Sequence, residues 1–267
     1  MNYFEKRFNT NSVDTDEVKY DFWRYGDKTG KKLDDFEVKY ISSIINGAIN
    51  KNQKIKKIRI LDVGCGTGYH LINLFKNFEN EKDLQIIGID RNQNYINQFK
   101  SNIKNDPAVY EKRNMFNVEN MSAKDLSLLE NKIDNPEKNS DTINIVIILG
   151  VLQYLSFDEI RSLSSGIINI MPSKTLVVIK HPLTYGKEIV KEILREGQVY
   201  NSEYKNFENV YLPFSYEFDF VKMEKCYYKK SLSKKELDLI SPKDDNFLTY
   251  VVLESRDMNN ENLCTYL

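Results

Sequence analysis

The amino-acid sequence predicts a mainly parallel β-sheet covered by helices on both faces. Two observations carry this. Short apolar, β-branched runs alternate with segments of helical periodicity along most of the chain, the pattern of strands joined by crossover helices. The runs are apolar at nearly every position, as in Ile58 to Val63 and Thr142 to Leu149, which suits strands buried on both faces. The chain has 267 residues, enough for one large domain with its own core.

The elements follow in order. Residues 1–33 are polar with scattered aromatics and do not read as the start of the core. Phe36, Tyr40, Ile41, Ile44 and Ile45 fall at helical spacing within Asp34 to Asn50, behind a capping Asp34 or Asp35. Residues 1–50 are therefore a helical cap segment, and 51–267 form the main domain. Ile58 to Val63 is the first strand, followed by glycines and a helix from Thr67 to Phe78. Leu84 to Ile89 is the second strand, and Asn94 to Asn105 a helix broken by Pro107. Val109 to Lys112 is a weak third strand, and a polar stretch with a short helix near Ala123 to Leu129 follows. Thr142 to Leu149 is a strong strand, Phe157 to Ile170 a helix and Thr175 to Lys180 a strand. Tyr185 to Glu196 reads as helical. Residues 198–216 are aromatic and irregular, as in a lid insertion. Two late strands, Phe218 to Lys229 and Phe247 to Glu254, flank a short helix from Leu232 to Ile240. That makes seven strands in the main sheet.

Composition excludes several function classes. Lys plus Arg is 38 and Asp plus Glu is 39, without the basic excess of a duplex nucleic-acid binder. Cys65, Cys226 and Cys264 are far apart and lack zinc spacing, so no metal site is expected and a reducing, cytoplasmic setting fits. No apolar signal or membrane segment is visible; the longest apolar run is interrupted by Asn144. A soluble monomer or homodimer acting on a small molecule is the expectation.

The chemistry centres on Ile60-Leu-Asp-Val-Gly64-Cys-Gly66-Thr-Gly68-Tyr-His70. Glycines there allow positive φ and close approach of a ligand, and the following helix offers free N–H groups. The spacing is GxGxG, not the dinucleotide GxGxxG, and no Lys-Ser/Thr pair follows as in a phosphate-binding loop. Asp62 stands just before the loop, where a carboxylate disfavours pyrophosphate and suits an ammonium. Asp90 ends the second strand about twenty residues beyond the glycines, where an acid accepts from ribose hydroxyls.

This arrangement closely resembles motif I of the class I, Rossmann-like S-adenosylmethionine-dependent methyltransferases of small molecules. The resemblance covers residues 58–180 well and the rest loosely. It implies a three-layer α/β/α sandwich with a mostly parallel seven-stranded sheet, an antiparallel last strand and an N-terminal helical cap. It implies S-adenosylmethionine as cofactor, with Gly64, Cys65, Gly66 and Gly68 shaping the bed of the methionine part. Asp62 would sit near the ammonium, Asp90 at the ribose and Arg91 at the adenine edge. Asn114 and Met115, after the weak third strand, stand where family members often bind adenine. Gly150 opens the segment after the fourth strand, where a small residue lets the cofactor pass.

Methyl-acceptor candidates lie beyond the carboxyl ends of the strands. They are Gln153, Tyr154 and His181 as catalytic groups, with Tyr185 beside the acceptor. His181, placed off the end of Thr175 to Lys180, is the better base candidate of the two histidines because imidazole titrates near neutrality. His70 faces either cofactor or solvent. Trp23, Arg24 and Tyr25 are candidates for a gate over the acceptor, and Arg24 for an anion clamp. The expected activity is methyl transfer to an oxygen of a small polar acceptor, such as a sugar or phosphate-bearing precursor. The alternatives are a small-molecule N-methyltransferase and a non-catalytic S-adenosylmethionine-binding module.

Overall fold

The computed structural model describes residues 28–51, 54–78, 83–131, 141–172, 174–184, 189–195, 198–225 and 246–256. The main sheet has seven strands: β1 (Lys57–Val63), β2 (Asp83–Asp90), β3 (Phe116–Asn120), β4 (Thr142–Leu149), β5 (Thr175–Thr184), β8 (Phe218–Lys225) and β9 (Asn246–Ser255). Their order across the sheet is β3-β2-β1-β4-β5-β9-β8. The first five are mutually parallel, and β9 runs antiparallel between β5 and β8. A separate antiparallel hairpin joins β6 (Ile189–Arg195) to β7 (Gln198–Tyr204).

Four α-helices of eight residues or more are among the described elements: α1 (Lys28–Lys51), α2 (Tyr69–Phe78), α3 (Gln93–Asn105) and α4 (Phe157–Ile170). Strand alternation divides the core in two. Ile58, Ile60, Ile145, Ile147 and Val178 pack with Leu71 and Phe75 of α2, Phe99 of α3, and Val38, Ile41 and Ile45 of α1. Leu61, Val63, Val146, Ile148 and Ile179 face Ile160, Leu163 and Ile167 of α4, with Leu126, Val210 and Phe214. The result is the three-layer α/β/α sandwich. Ile41 and Ile45 are fully buried, and burying such a side chain stabilises by about 1.5–3 kcal/mol. The described part of the cap segment is thus a member of one helical layer. Helix α4 starts on a capping box between Ser156 and Glu159.

The structure corrects four elements. The third strand is Phe116–Asn120, and Pro107–Tyr110 is a helical turn. Pro107 ends α3 but also opens that turn at N1, behind Asp106, whose carboxylate accepts from Ala108 N–H at 3.2 Å. Helix α1 begins at Lys28, before the Asp34 or Asp35 cap. The fifth strand continues through Thr184, because β9 pairs with it as far as Thr184↔Asn246 after β4 has ended. Ile189 to Arg195 is a strand, not a helix, and its partner occupies the first part of 198–216. Only Glu196-Gly197 separates the paired ends Arg195 and Gln198, a connection length and residue that favour a tight hairpin. The rest of 198–216 holds a short helix, Phe207–Tyr211, and a 3-10 turn, Leu212–Phe214. The predicted helix Leu232 to Ile240 lies outside the described residues. No helix of the described residues is long and apolar enough to cross a membrane.

Candidate active site

The strand order reverses between β1 and β4: the chain steps outward from β1 through β2 and β3, then returns to β4 on the other side. A crevice forms at the carboxyl ends of such a switch point. Two segments line it, the glycine loop after β1 and the turn opening at Gly150 after β4.

The loop bends across β2. Gly64 N–H and Cys65 N–H both donate to the Ile89 carbonyl, at 2.8 and 2.9 Å. Gly64 and Gly68 have φ of 76° and 81°. Neighbours also fix these two residues as glycine. A Cβ on Gly64 would lie 2.3 Å from Val151 Cγ2, and one on Gly68 would lie 2.1 Å from the Phe99 ring. The loop is therefore shaped by packing against the β4 turn and α3. By contrast a Cβ on Gly150, at φ 70°, would meet nothing within 4 Å, so this glycine borders open space.

Asp90 is tied to the loop. One carboxylate oxygen accepts from Gly66 N–H at 3.0 Å and the other from Asn92 N–H at 2.8 Å. A carboxylate offers about four lone-pair sites and can serve several donors at once. The Asp90 carbonyl accepts from Asn120 Nδ2 and Met121 N–H, each at 3.0 Å, which brings the end of β3 to the same corner. Asp62 is buried on β1, on the sheet face that carries α1 and α2, and Arg91 is exposed beside Asp90.

The predicted residues therefore divide. Asp62, Gly64, Cys65, Gly66, Gly68, Asp90, Arg91 and Gly150 gather at the carboxyl ends of β1, β2 and β4. Gln153 and Tyr154 lie in the 3-10 turn Leu152–Tyr154, with Gln153 buried. Asn114 and Met115 do not join them. They precede β3, whose first residue pairs with Ile86, four residues before Asp90 along β2. The third strand had been placed too early, and Asn120 and Met121 stand where those two were expected. The alternation of Phe116 and Val118 with polar residues is the sequence signal for the true strand. Trp23, Arg24, Tyr25 and Tyr185 lie outside the described residues.

His181 is corrected as a base. It sits within β5, fully buried, and pairs in register with Thr249. Its Nε2 accepts from Lys205 N–H at 3.3 Å, which leaves the ring proton on Nδ1. Burial, and then the Lys205 charge, push its pKa down to about 3. An imidazole so weakly basic is a poor proton acceptor at neutral pH. Thr184 N–H donates to the Lys205 carbonyl at 3.1 Å, and β7 packs on the 152–154 turn and on β5. The hairpin's return strand thus runs over the carboxyl ends of β4 and β5.

A polar cluster that the sequence did not reveal lies on the α1 face. Asp34, Glu37, His70 and Lys180 are all buried. Glu37 Oε2 meets His70 Nε2 at 2.9 Å, Glu37 Oε1 accepts from Lys180 Nζ, and Asp34 Oδ1 is 3.9 Å from the same His70 nitrogen. Burial pushes the Glu37 carboxyl up, but the Lys180 charge and the His70 hydrogen bond outweigh it and hold the group well below the usual carboxylate range. Asp34, Glu37 and His70 present ligand atoms within 4.8 Å of one another, a set able to hold a cation. Lys180 already supplies that positive charge, and a divalent ion beside it would leave an uncompensated excess in a buried place. The signal was present as Asp34 and Glu37 in the stripe of Val38, Ile41 and Ile45.

Comparisons with known proteins agree with this architecture. A family model described as a methyltransferase domain matches residues 54–205. A search of the curated proteins gave no match. Among solved structures, magnesium protoporphyrin IX methyltransferase from Synechocystis PCC 6803 with bound SAH is similar at 13% identity and TM-score 0.53, over 91% of this chain and 96% of that one. An S-adenosylmethionine-dependent methyltransferase from Leishmania major is similar at 13% identity and TM-score 0.52, over 94% and 89%. At such identities the likeness is one of fold.

Proposed function

The chain belongs to the methyltransferase-domain family in its class I, Rossmann-like form, and we propose that it transfers the methyl group of S-adenosylmethionine to an acidic oxygen of a small molecule. The observation that carries the donor half is Asp90, held by the glycine loop through Gly66 N–H and by Asn92 N–H at the switch point. In this reading Asp90 holds the ribose hydroxyls, Asp62 holds the ammonium of the amino-acid end, and Asn120 and Met121 border the adenine. Arg91 flanks its edge. Gly150 gives the passage beside the reacting centre, since open space lies where its Cβ would be.

The sulfonium of the bound cofactor supplies an activated methyl group, so the chain's task is to place a nucleophile in line with it. His181 is too weak a base to deprotonate an alcohol or ammonium, and Gln153 can orient by hydrogen bonding but holds no titratable proton. An acceptor whose oxygen is already anionic, such as a carboxylate or a phosphate-bearing precursor, or acidic enough to ionise in water, such as a phenol, needs no stronger base. The hairpin of β6 and β7 serves as a lid that excludes water, while Val210 and Phe214 of the following segment belong to the core, and Trp23, Arg24, Tyr25 and Tyr185 are assigned to the acceptor side. A reducing cytoplasmic setting is in keeping with the scattered cysteines, of which Cys65 is buried.

Titration calorimetry with S-adenosylmethionine and S-adenosylhomocysteine tests the donor half; no binding of either at micromolar concentrations overturns it. Methyl transfer from labelled cofactor to a panel of carboxylates, phenols, phosphorylated sugars and amines tests the acceptor half. Turnover of amines alone overturns the oxygen assignment, and binding without turnover of any class favours a non-catalytic module.

A further inference from the structure

Asp34, Glu37, His70 and Lys180 are at most 7% exposed. They interrupt a layer whose other buried members are overwhelmingly apolar. Burying such groups is costly, and replacing a buried ion pair by apolar side chains is commonly neutral or stabilising. Stability alone therefore does not account for the cluster, and its connections indicate what does.

Glu37 is the hub. One carboxylate oxygen holds His70 and the other holds Lys180. His70 lies two residues past Gly68, in the first turn of α2, directly after the glycine loop. Lys180 pairs with Leu149 across the sheet, and its carbonyl accepts from Gly150 N–H at 3.0 Å. Contacts therefore run from the glycine loop, through α1, to the turn after β4, and join the two sides of the crevice. A second tie lies alongside, where the Tyr69 hydroxyl donates to Asp35 at 2.5 Å.

We propose that Glu37 is a positioning residue that, through His70 and Lys180, couples the seating of α1 to binding of the methyl donor. The proposal rests on the S-adenosylmethionine reading above. With Glu37 holding both partners, the first turn of α2 and the Gly150 turn are kept at one separation, and the crevice is preorganised for the donor. Without the hub, α1 keeps its apolar packing and the Tyr69–Asp35 tie to α2 but loses its bridge to Lys180, and donor binding must order that side.

The test is titration calorimetry with S-adenosylhomocysteine on the unaltered chain, on Glu37→Asp and on the double variant E37L/K180M. Glu37→Gln alone strands the Lys180 ammonium and risks unfolding; the double variant removes both charges. The double variant is expected to stay folded and melt close to the unaltered chain without ligand, the loss of His70's Glu37 partner offsetting what removal of the two buried charges gives, yet to bind about tenfold more weakly, a typical coupling between sites. Glu37→Asp, which keeps the charge at shorter reach, falls between. A double variant that melts normally and binds with unchanged affinity overturns the proposal. Hydrogen exchange on the unaltered chain gives a second readout that needs no variant. S-adenosylhomocysteine should raise protection in α1 around Val38 to Ile41 together with the first turn of α2, and a response confined to α2 overturns the coupling. Absence of binding by the unaltered chain overturns the proposed function, and the coupling with it.

Discussion

Replacing Asp90 by Ala removes a carboxylate that serves two structures at once. Within the chain it accepts from Gly66 N–H at 3.0 Å and from Asn92 N–H at 2.8 Å. Losing bonds to a charged acceptor in a half-buried place costs about 1 kcal/mol each, so stability should fall by about 2 kcal/mol. The cofactor loses two further bonds, from the ribose hydroxyls to the same charged group. Taken at the low end, about 1.5 kcal/mol each, these sum to about 3 kcal/mol and a roughly hundredfold rise in Kd. Asp90→Asn keeps one acceptor oxygen but sets an NH2 group near backbone donors, and should lose about tenfold. Calorimetric titration with S-adenosylhomocysteine, beside thermal melts of the free proteins, separates the two effects. A folded Asp90→Ala variant that binds within about threefold of the unaltered chain would refute the assignment of Asp90 to the ribose.

Two further perturbations have defined signs. Gly68→Ala and Gly150→Ala both force a side chain into positive φ, but only at Gly68 would the Cβ collide, 2.1 Å from the Phe99 ring. Urea unfolding should show a loss of about 3 kcal/mol at Gly68 and about 1 kcal/mol at Gly150, with cofactor binding the larger casualty at Gly150; equal losses of stability contradict the packing argument. His181, whose folded pKa is depressed from 6.5 to about 3, contributes stability that is complete above the unfolded value and is lost as pH falls. Between pH 6.5 and 5 that loss should be about 2 kcal/mol, and His181→Gln should flatten this part of the stability profile; an unchanged slope contradicts the burial account.

The donor half of the site was legible because it is built from consecutive residues. A strand that ends in glycines and continues as a helix is one local event, and Asp62 to Gly68 specify it without distant partners. Even so, part of what makes Gly64 and Gly68 glycine is tertiary, since Val151 and Phe99 crowd them from other elements. Asn114 and Met115 were misplaced because Pro107 was read only as a breaker, when Asp106 and Pro107 also start a helical turn and push β3 seven residues along the chain. His181 was misplaced because antiparallel pairing with β9 prolongs β5. That partner lies about seventy residues away, and no window around His181 contains it. The helix expected over Tyr185 to Glu196 failed for a related reason. Ile189, Val190, Ile193 and Leu194 fit helical spacing, but pairing with Gln198–Tyr204 decides between the two states. Glu37 and Lys180 are 143 positions apart, so the acid that interrupts the apolar stripe of α1 gives no sign of its partner.

The burial of His181 changes what is asked of the acceptor. A general base with a pKa near neutrality gives a rate that rises with pH through the base's own pKa, whichever acceptor is used. With His181 held near 3, its ionisation is complete well below neutral pH and leaves no such feature in the neutral range. The pH dependence of kcat/KM must then follow the acceptor. A carboxylate should be turned over at a rate flat from pH 6 to 8, while a phenol should gain about tenfold per pH unit until it ionises. Two acceptors of different acidity, assayed with the same cofactor over that range, should therefore give profiles displaced by the difference in their pKa values. A common inflection near pH 7 for both would show a base supplied by the protein, and the argument from His181 to an acidic acceptor would fail.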